Sequence, residues 1–399
     1  MKRKFRIIVG MLLLTIPLCM NAQVRPTKPE NNKNEKVEAK KPNNGGQQEQ
    51  VTTESNSGIT LPKISGFVQG MYQADLSDKG ELIDNTFRMR RVRLSVDGNL
   101  SKTVSYKIQG DFVRGPMLVD AYVKYKPCRE FAIQVGQFKT PFSLESPINP
   151  VNLEIFDYGE NVQQLVGYSD VCGIKAIGRD IGVMATGSLF PVLGEEGYMY
   201  SIVDYAVGVF NGNGVNVLDN NNRKDIVGRL EVHPGLKDLT LSGSYYYGLY
   251  KGSNDPTVLE DGMTNFGHGV RNRWSAGAQY NNGSLVIRGE YFDGKTGYQV
   301  GDSDDAGLPL IQDHRLNSNG YYGIVGYNFK AGEQKIMPVL RYEHFAKDND
   351  INKAATNWYT VGINYWPLKS VNLKVDYSLV QKEAGANSHR VVGILSYKF

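Results

Sequence analysis

From Ile64 to the C-terminus, apolar and polar residues alternate with a period of two, and helical periodicity is poor. Alternation of this kind gives a strand one apolar and one polar face. The final nine residues, Val391 to Phe399, show it most clearly. Val391, Gly393, Leu395, Tyr397 and Phe399 fall on one face, and Val392, Ile394, Ser396 and Lys398 on the other, with Arg390 one step earlier. A strand still in pattern at its last residue, with aromatics at the tip, suits a membrane barrel. There the last strand closes onto the first and turns its outer face to lipid.

Sixteen such segments are counted, with eighteen as the neighbouring even number. They begin near Ile64, Thr86, Val104, Leu118, Phe131, Asp180, Tyr200, Ile226, Leu239, Arg273, Leu285, Gly320, Gln334, Asn357, Val371 and His389. Short connections, such as Pro127 to Arg129 and Asn281 to Gly283, alternate with long polar ones, such as Asn211 to Asp225 and Lys295 to Asn319. Short turns on one rim and long loops on the other characterise outer-membrane barrels. The expected fold is therefore all-β: a transmembrane antiparallel β-barrel of about 16 strands, with both ends on the periplasmic rim. The connection after the fifth strand, Ser143 to about Arg179, is the longest. It carries Leu144, Ile148, Val151, Leu153, Ile155, Phe156, Leu165 and Val166, too many apolar groups for a solvated flap. It is expected to fold inward and narrow the lumen.

Alternation also assigns faces. In the third strand Tyr106, Ile108 and Phe112 face lipid, leaving Lys107, Gln109 and Asp111 inside. In the fourth, Val119, Ala121, Val123 and Tyr125 point out, with Asp120, Tyr122, Lys124 and Lys126 inside. In the second, Val92, Leu94 and Val96 point out and Arg91 and Arg93 point in. Arg88 and Arg90 are out of phase with that pair. Either a β-bulge near Arg90 brings all four inward, or Arg88 and Arg90 lie above the membrane. Later strands place Arg229, Arg288 and Arg341 inside, together with Glu231, Glu290 and Glu343. Arg or Lys on the lipid face at mid-bilayer costs about 2–4 kcal/mol, so its systematic avoidance favours a membrane barrel over a soluble sandwich.

Composition adds a leader and removes a partner. Lys2, Arg3, Lys4 and Arg6 precede an apolar run from Ile7 to Met20, and cleavage is expected after Ala22. Residues 1–22 thus read as a signal peptide, 23–60 as a disordered periplasmic linker rich in Lys, Glu, Asn, Gln and Pro, and 61–399 as the barrel. Of 45 Lys and Arg, four lie in the leader, so 41 remain to match 41 Asp and Glu. The balance gives no reason to expect a nucleic-acid partner. Cys128 at a short turn and Cys172 near the opposite rim are too far apart to bridge, and are expected as free thiols. No nucleophile constellation and no cofactor are implied, and His233, His268, His314, His344 and His389 lack metal-ligand spacing. The chain is not expected to be an enzyme.

Four blocks then point to a family. Phe87 to Leu94 (FRMRRVRL), Tyr106 to Phe112 (YKIQGDF), Asp120 to Tyr125 (DAYVKY) and Gly136 to Phe142 (GQFKTPF) resemble the phosphate-selective porins O and P, best over about Gly66 to Glu145. The resemblance implies a homotrimeric channel in the outer membrane of a Gram-negative bacterium. Its strands would meet outer-membrane lipid, its basic lumen would pass phosphate or related small anions, and its C-terminal Phe399 would be read by the barrel-assembly machinery. Candidate anion-binding residues are Arg91, Arg93, Lys107, Lys124 and Lys126, with Arg88, Arg90, Arg229, Arg288 and Arg341 as further lumenal positions. One feature departs from the family, where lysines on the inward loop help form the constriction. Here Ser143 to Asp170 has no Lys or Arg but carries Glu145, Glu154, Asp157, Glu160 and Asp170. A general porin for small hydrophilic solutes is the alternative, and a barrel adhesin or barrel enzyme a more remote one.

Overall fold

The computed structural model describes residues 58–399 except 114–117, 175, 195–198, 237, 252–256, 259–263, 266–267, 304–308 and 352–354. The expected leader and nearly all of the linker lie outside the described residues. Sixteen long strands follow in order: β1 (Lys63–Ser77), β2 (Leu82–Asn99), β3 (Val104–Asp111), β4 (Leu118–Tyr125), β5 (Ala132–Lys139), β6 (Arg179–Leu193), β7 (Met199–Phe210), β8 (Asp225–Val232), β9 (Leu239–Lys251), β10 (His268–Asn281), β11 (Leu285–Ser303), β12 (Pro309–Tyr327), β13 (Gln334–Ala346), β14 (Ala355–Leu368), β15 (Val371–Lys382) and β16 (Ser388–Lys398). A short piece, Phe329–Ala331, continues β12 past Asn328, and two two-residue pieces, Thr257–Val258 and Thr264–Asn265, pair between β9 and β10. Each long strand pairs antiparallel with its sequence neighbour, and β16 returns to β1 with Phe67 opposite Lys398 and Ser77 opposite Ser388. The barrel is closed, which removes the sheet edges that lipid could not satisfy. Among the described residues no helix is long and apolar enough to cross a membrane; the chain crosses with strands.

Exposure along the strands is inverted relative to a water-soluble sheet. Leu340, Val361, Val375 and Leu395 are exposed, whereas their neighbours Arg341, Thr360, Lys374 and Ser396 are buried. The apolar face therefore meets lipid and the polar face lines the lumen. Two irregularities modify the simple alternation. β1 and β2 shift register between Gln69/Gly70, so Gln69 faces Arg91 and Gly70 faces Met89, leaving Arg90 as the bulged residue. β3 and β4 shift where Gly110 meets Leu118, so Val119 is left between paired positions and is fully buried instead of facing lipid as expected. Of the two thiols expected to be free, Cys172 is free and Cys128 is not, being disulfide-bonded.

The segment between β5 and β6 is buried against the inner wall. Phe142, Leu153, Tyr158, Val162 and Leu165 join lumen-facing Phe138, Phe210, Phe292 and Tyr322 in one apolar cluster. Burial of such a side chain contributes about 1.5–3 kcal/mol. The segment turns at Ser143, a non-glycine residue at φ 76°, which is fixed from several sides. Its Oγ donates to Glu290 at 2.9 Å, its N–H donates to Ser244 at 3.1 Å, and its carbonyl accepts from Arg229 at 3.0 Å. The segment then forms a single 3-10 turn, Pro150–Asn152, and a short α-helix, α1 (Glu160–Val166), ended by Gly167 in the left-handed region at φ 99°. A Cβ at Gly159, the N-cap, would lie 1.8 Å from Arg341 Nη2 and would push that guanidinium aside.

Candidate functional site in the barrel lumen

The bulge at Arg90 brings four arginines to the inner face. Arg88 lies opposite Met71, whose side chain is buried, and donates to Gln73 Oε1 at 3.2 Å. Arg90 donates to Gln69 at 2.7 Å and lies 2.8 Å from Asp157. Arg93 bonds Asp111 at 3.0 Å, with Arg91 3.8 Å from the same oxygen. One extra residue in one strand thus reconciles two arginine pairs that a strict period of two would place on opposite faces.

The acids of the inward segment then find arginines on distant strands. Arg341 clamps Glu145 through two bonds of 2.7 and 3.1 Å, and Arg288 approaches the same carboxylate to 4.0 Å. Arg288 also holds Glu154 at 2.7 and 3.2 Å. Arg273 holds Asp170 at 2.6 and 2.7 Å. Asp157 takes Arg90. Four of the five segment carboxylates are therefore partnered by wall arginines; the fifth, Glu160, accepts from Gln164 within α1 at 2.7 Å. Paired forks of this type are short, charge-assisted and directional. Burial alone would raise the Glu154 and Asp170 carboxyls, but the Arg288 and Arg273 guanidiniums outweigh it and hold both below their ordinary range.

Lysines complete the attachment. Lys374 donates to the carbonyls of Leu153 and Ile155 at 2.5 and 2.8 Å. Lys139 donates to the carbonyls of Ser146 and Ile148 at 2.5 and 3.0 Å and to the Tyr158 hydroxyl at 3.0 Å. Neither Lys139 nor Arg271 is among the candidates drawn from the sequence. Arg271 bonds Asp225 at 2.5 Å and lies two residues before Arg273, so the same alternation carried back one step would find it. Lys139 stands at the end of β5, where alternation gives way to the segment, and its signal in the sequence is its place in the GQFKTPF block.

Lys107 and Lys124 stand apart. Their strands, β3 and β4, pair through Lys107 opposite Tyr122 and Ser105 opposite Lys124, on the inner face. Among the described residues neither makes a side-chain hydrogen bond or ion pair, and the same holds for Lys126 just beyond β4. Hydrogen bonds from the segment reach β5 and strands from β8 to β16, for example Arg229, Asn364 and Lys398, and an ion pair reaches Arg90 on β2, but none runs to β3, β4 or β7 among the described residues. Arg229 also bonds its own-strand Glu231 at 3.2 Å.

Comparison with known proteins supplies the rest. A model of the family described as phosphate-selective porin O and P matches residues 63–394. No curated protein matches the chain in sequence. Among solved structures, the chain is similar to an anion-selective porin from Comamonas acidovorans, with TM-score 0.58 and 14% identity over 85% of this chain and 99% of that one. It is similar also to Salmonella typhi OmpF, with TM-score 0.59 and 12% identity over 87% and 99%. A trimer form of in-vitro folded OmpT, an outer membrane protein of Vibrio cholerae, gives TM-score 0.54 and 11% identity over 85% and 100%. At these identities the structures speak to the fold alone, while the family model spans most of the chain. With a closed sixteen-stranded barrel, an apolar outer face and that match, the chain belongs to the phosphate-selective porin O and P family and is a porin of the Gram-negative bacterial outer membrane.

Proposed function

We propose that this porin passes small anions, phosphate among them, by diffusion along the β3–β4 side of its lumen. One contrast carries the reading. Arg90, Arg273, Arg288 and Arg341 face segment carboxylates, whereas Lys107 and Lys124 line strands to which the segment makes no hydrogen bond and, among the described residues, form no side-chain hydrogen bond or ion pair, although Asp97 lies across from Lys107. An ammonium offers three donors and a compact charge, so each lysine replaces part of a passing anion's hydration without holding it. Confined and weakly screened, the two raise the local anion concentration. Lys126 extends the series to the rim. In this reading Arg288 and Arg341 seat the segment, and the segment sets the size limit.

Assembly as a homotrimer, contact of the outer face with lipid, and insertion by the barrel-assembly machinery complete the proposal. The trimer form of the similar Vibrio cholerae protein supports the first, and the exposed apolar wall supports the second. A second reading, a general porin for small hydrophilic solutes, draws on the neutralisation of so many lumenal arginines. The reversal potential of the native protein in a planar bilayer separates the two. A KCl gradient, repeated with phosphate as the anion, should give a potential of the sign set by anions. A value near zero would favour the general porin and reject the anion path.

A further inference from the structure

We propose that Asp204, Glu231 and His233 form a binding site for a divalent transition-metal ion such as Zn²⁺ on the lumen wall near the short-turn rim. Strand pairing assembles it. Asp204 on β7 lies opposite Glu231 on β8, and both point into the lumen. His233 follows β8 immediately, tied back by its N–H to the Ile202 carbonyl at 2.8 Å. One ligand atom from each of the three lies within 4.8 Å of the other two, and all three residues are half-buried. His233 Nε2 is 3.0 Å from Asp204 Oδ2, while the second oxygen, Oδ1, is shielded from solvent, with Ser188 and Arg129 as the Asp204 carboxylate's other polar neighbours. An imidazole and two carboxylates form a borderline donor set that suits Zn²⁺ better than Mg²⁺ or Ca²⁺.

The imidazole has the support such a ligand needs. Its Nδ1 lies 3.2 Å from the Thr240 hydroxyl, which can serve as donor or acceptor. Without metal, Nε2–H donates to Asp204 and Thr240 donates to Nδ1. With metal, the ring takes the other tautomer: Nδ1–H donates to Thr240, and the Nε2 lone pair goes to the ion. The proton that sat on Nε2 is on Nδ1, so a neutral ring binds without losing one and no polar group is stranded. Bond lengths of about 2.0–2.2 Å put tetrahedral ligand atoms roughly 3.3–3.5 Å apart, so from separations within 4.8 Å the most distant carboxylate closes by at most roughly 1.5 Å. Glu231, half-buried next to the end of β8, reaches the ion by giving up its contact with Arg229 at 3.2 Å. Three protein ligands leave a position for water.

The test uses tag-free, chelator-treated porin in detergent, with heat-modifiable gel mobility as the check on folding. Calorimetric titration with Zn²⁺ should give one ion per chain, and Co²⁺ should give a visible ligand-field spectrum. His233→Ala should abolish both. Thr240→Val, which keeps all three ligands, should weaken Zn²⁺ binding about 10–100-fold, as loss of an orienting partner does. Zn²⁺ bound no more tightly by the native protein than by folded His233→Ala would overturn the site.

Discussion

Glu145→Gln tests how the inward segment is seated. Glu145 is fully buried, clamped by Arg341 through two bonds and approached by Arg288. The amide keeps the volume and one acceptor but removes the charge that both guanidiniums face. Arg341 would retain only Glu343 at 3.3 Å and the Tyr322 ring at 4.1 Å. Removing one partner of a buried pair costs about 3–5 kcal/mol; with one hydrogen bond kept, the lower end applies here. About 3 kcal/mol shifts the balance between seated and released segment by roughly two powers of ten. In single-channel recording the variant should show a larger mean conductance and frequent switching between levels, while the native channel stays steady. Adding Arg341→Met together with Glu343→Gln removes the stranded guanidinium without leaving the buried Glu343 uncompensated and should restore part of the quiet behaviour, because loss of all partners costs less than loss of one. Conductance and noise in a folded Glu145→Gln channel indistinguishable from native would refute the view that the acid–arginine pairs hold the segment.

Three further outcomes are expected. Lys107→Gln with Lys124→Gln should lower anion-over-cation permeability: an anion at 4 Å gains about 1 kcal/mol from a unit charge in water, roughly fivefold per lysine, and the effect should fade at high salt. An unchanged reversal potential would place the anion path elsewhere. Gly136 sits at φ 132° and a Cβ there would lie 2.2 Å from the Ala121 carbonyl oxygen, so Gly136→Ala should cost at least about 1–3 kcal/mol from backbone strain alone and lower the urea midpoint of the folded barrel; an unaltered midpoint would contradict it. Because Glu154 and Asp170 have depressed pKa values, their pairs stabilise the seated segment above the ordinary carboxylate range and lose that contribution as pH falls through the lower folded values. Current noise should therefore be flat from neutrality to about pH 4 and rise below it, and a channel equally quiet at about pH 2 would argue against the pairs.

The period of two, the barrel class, the closure of Val391–Phe399 onto the segment at Ile64 and the inner face of β3 are all legible in the sequence. Each follows from a local rule: successive side chains point to opposite sides, and a lipid-facing charge is penalised wherever it occurs. The sequence also marks a conflict of phase at Arg88 to Arg93, but only the pairing of β1 with β2 resolves it, because a bulge is defined by the partner strand. Val119 fails the simple alternation for the same reason.

What the tertiary structure decided is which charges remain free. The acids of Ser143 to Asp170 look, as sequence, like a departure from a basic constriction. In the folded barrel they are counterions, and the pair that matters most joins positions 196 residues apart. No local pattern encodes such a partner, since it depends on barrel closure and on the path of a segment across the lumen. The same holds for Asp204, which reaches Glu231 and His233 through the register of two strands. Period and face are properties of neighbouring residues and are written in the sequence; pairing and neutralisation are properties of distant ones brought together, and only the closed barrel sets them.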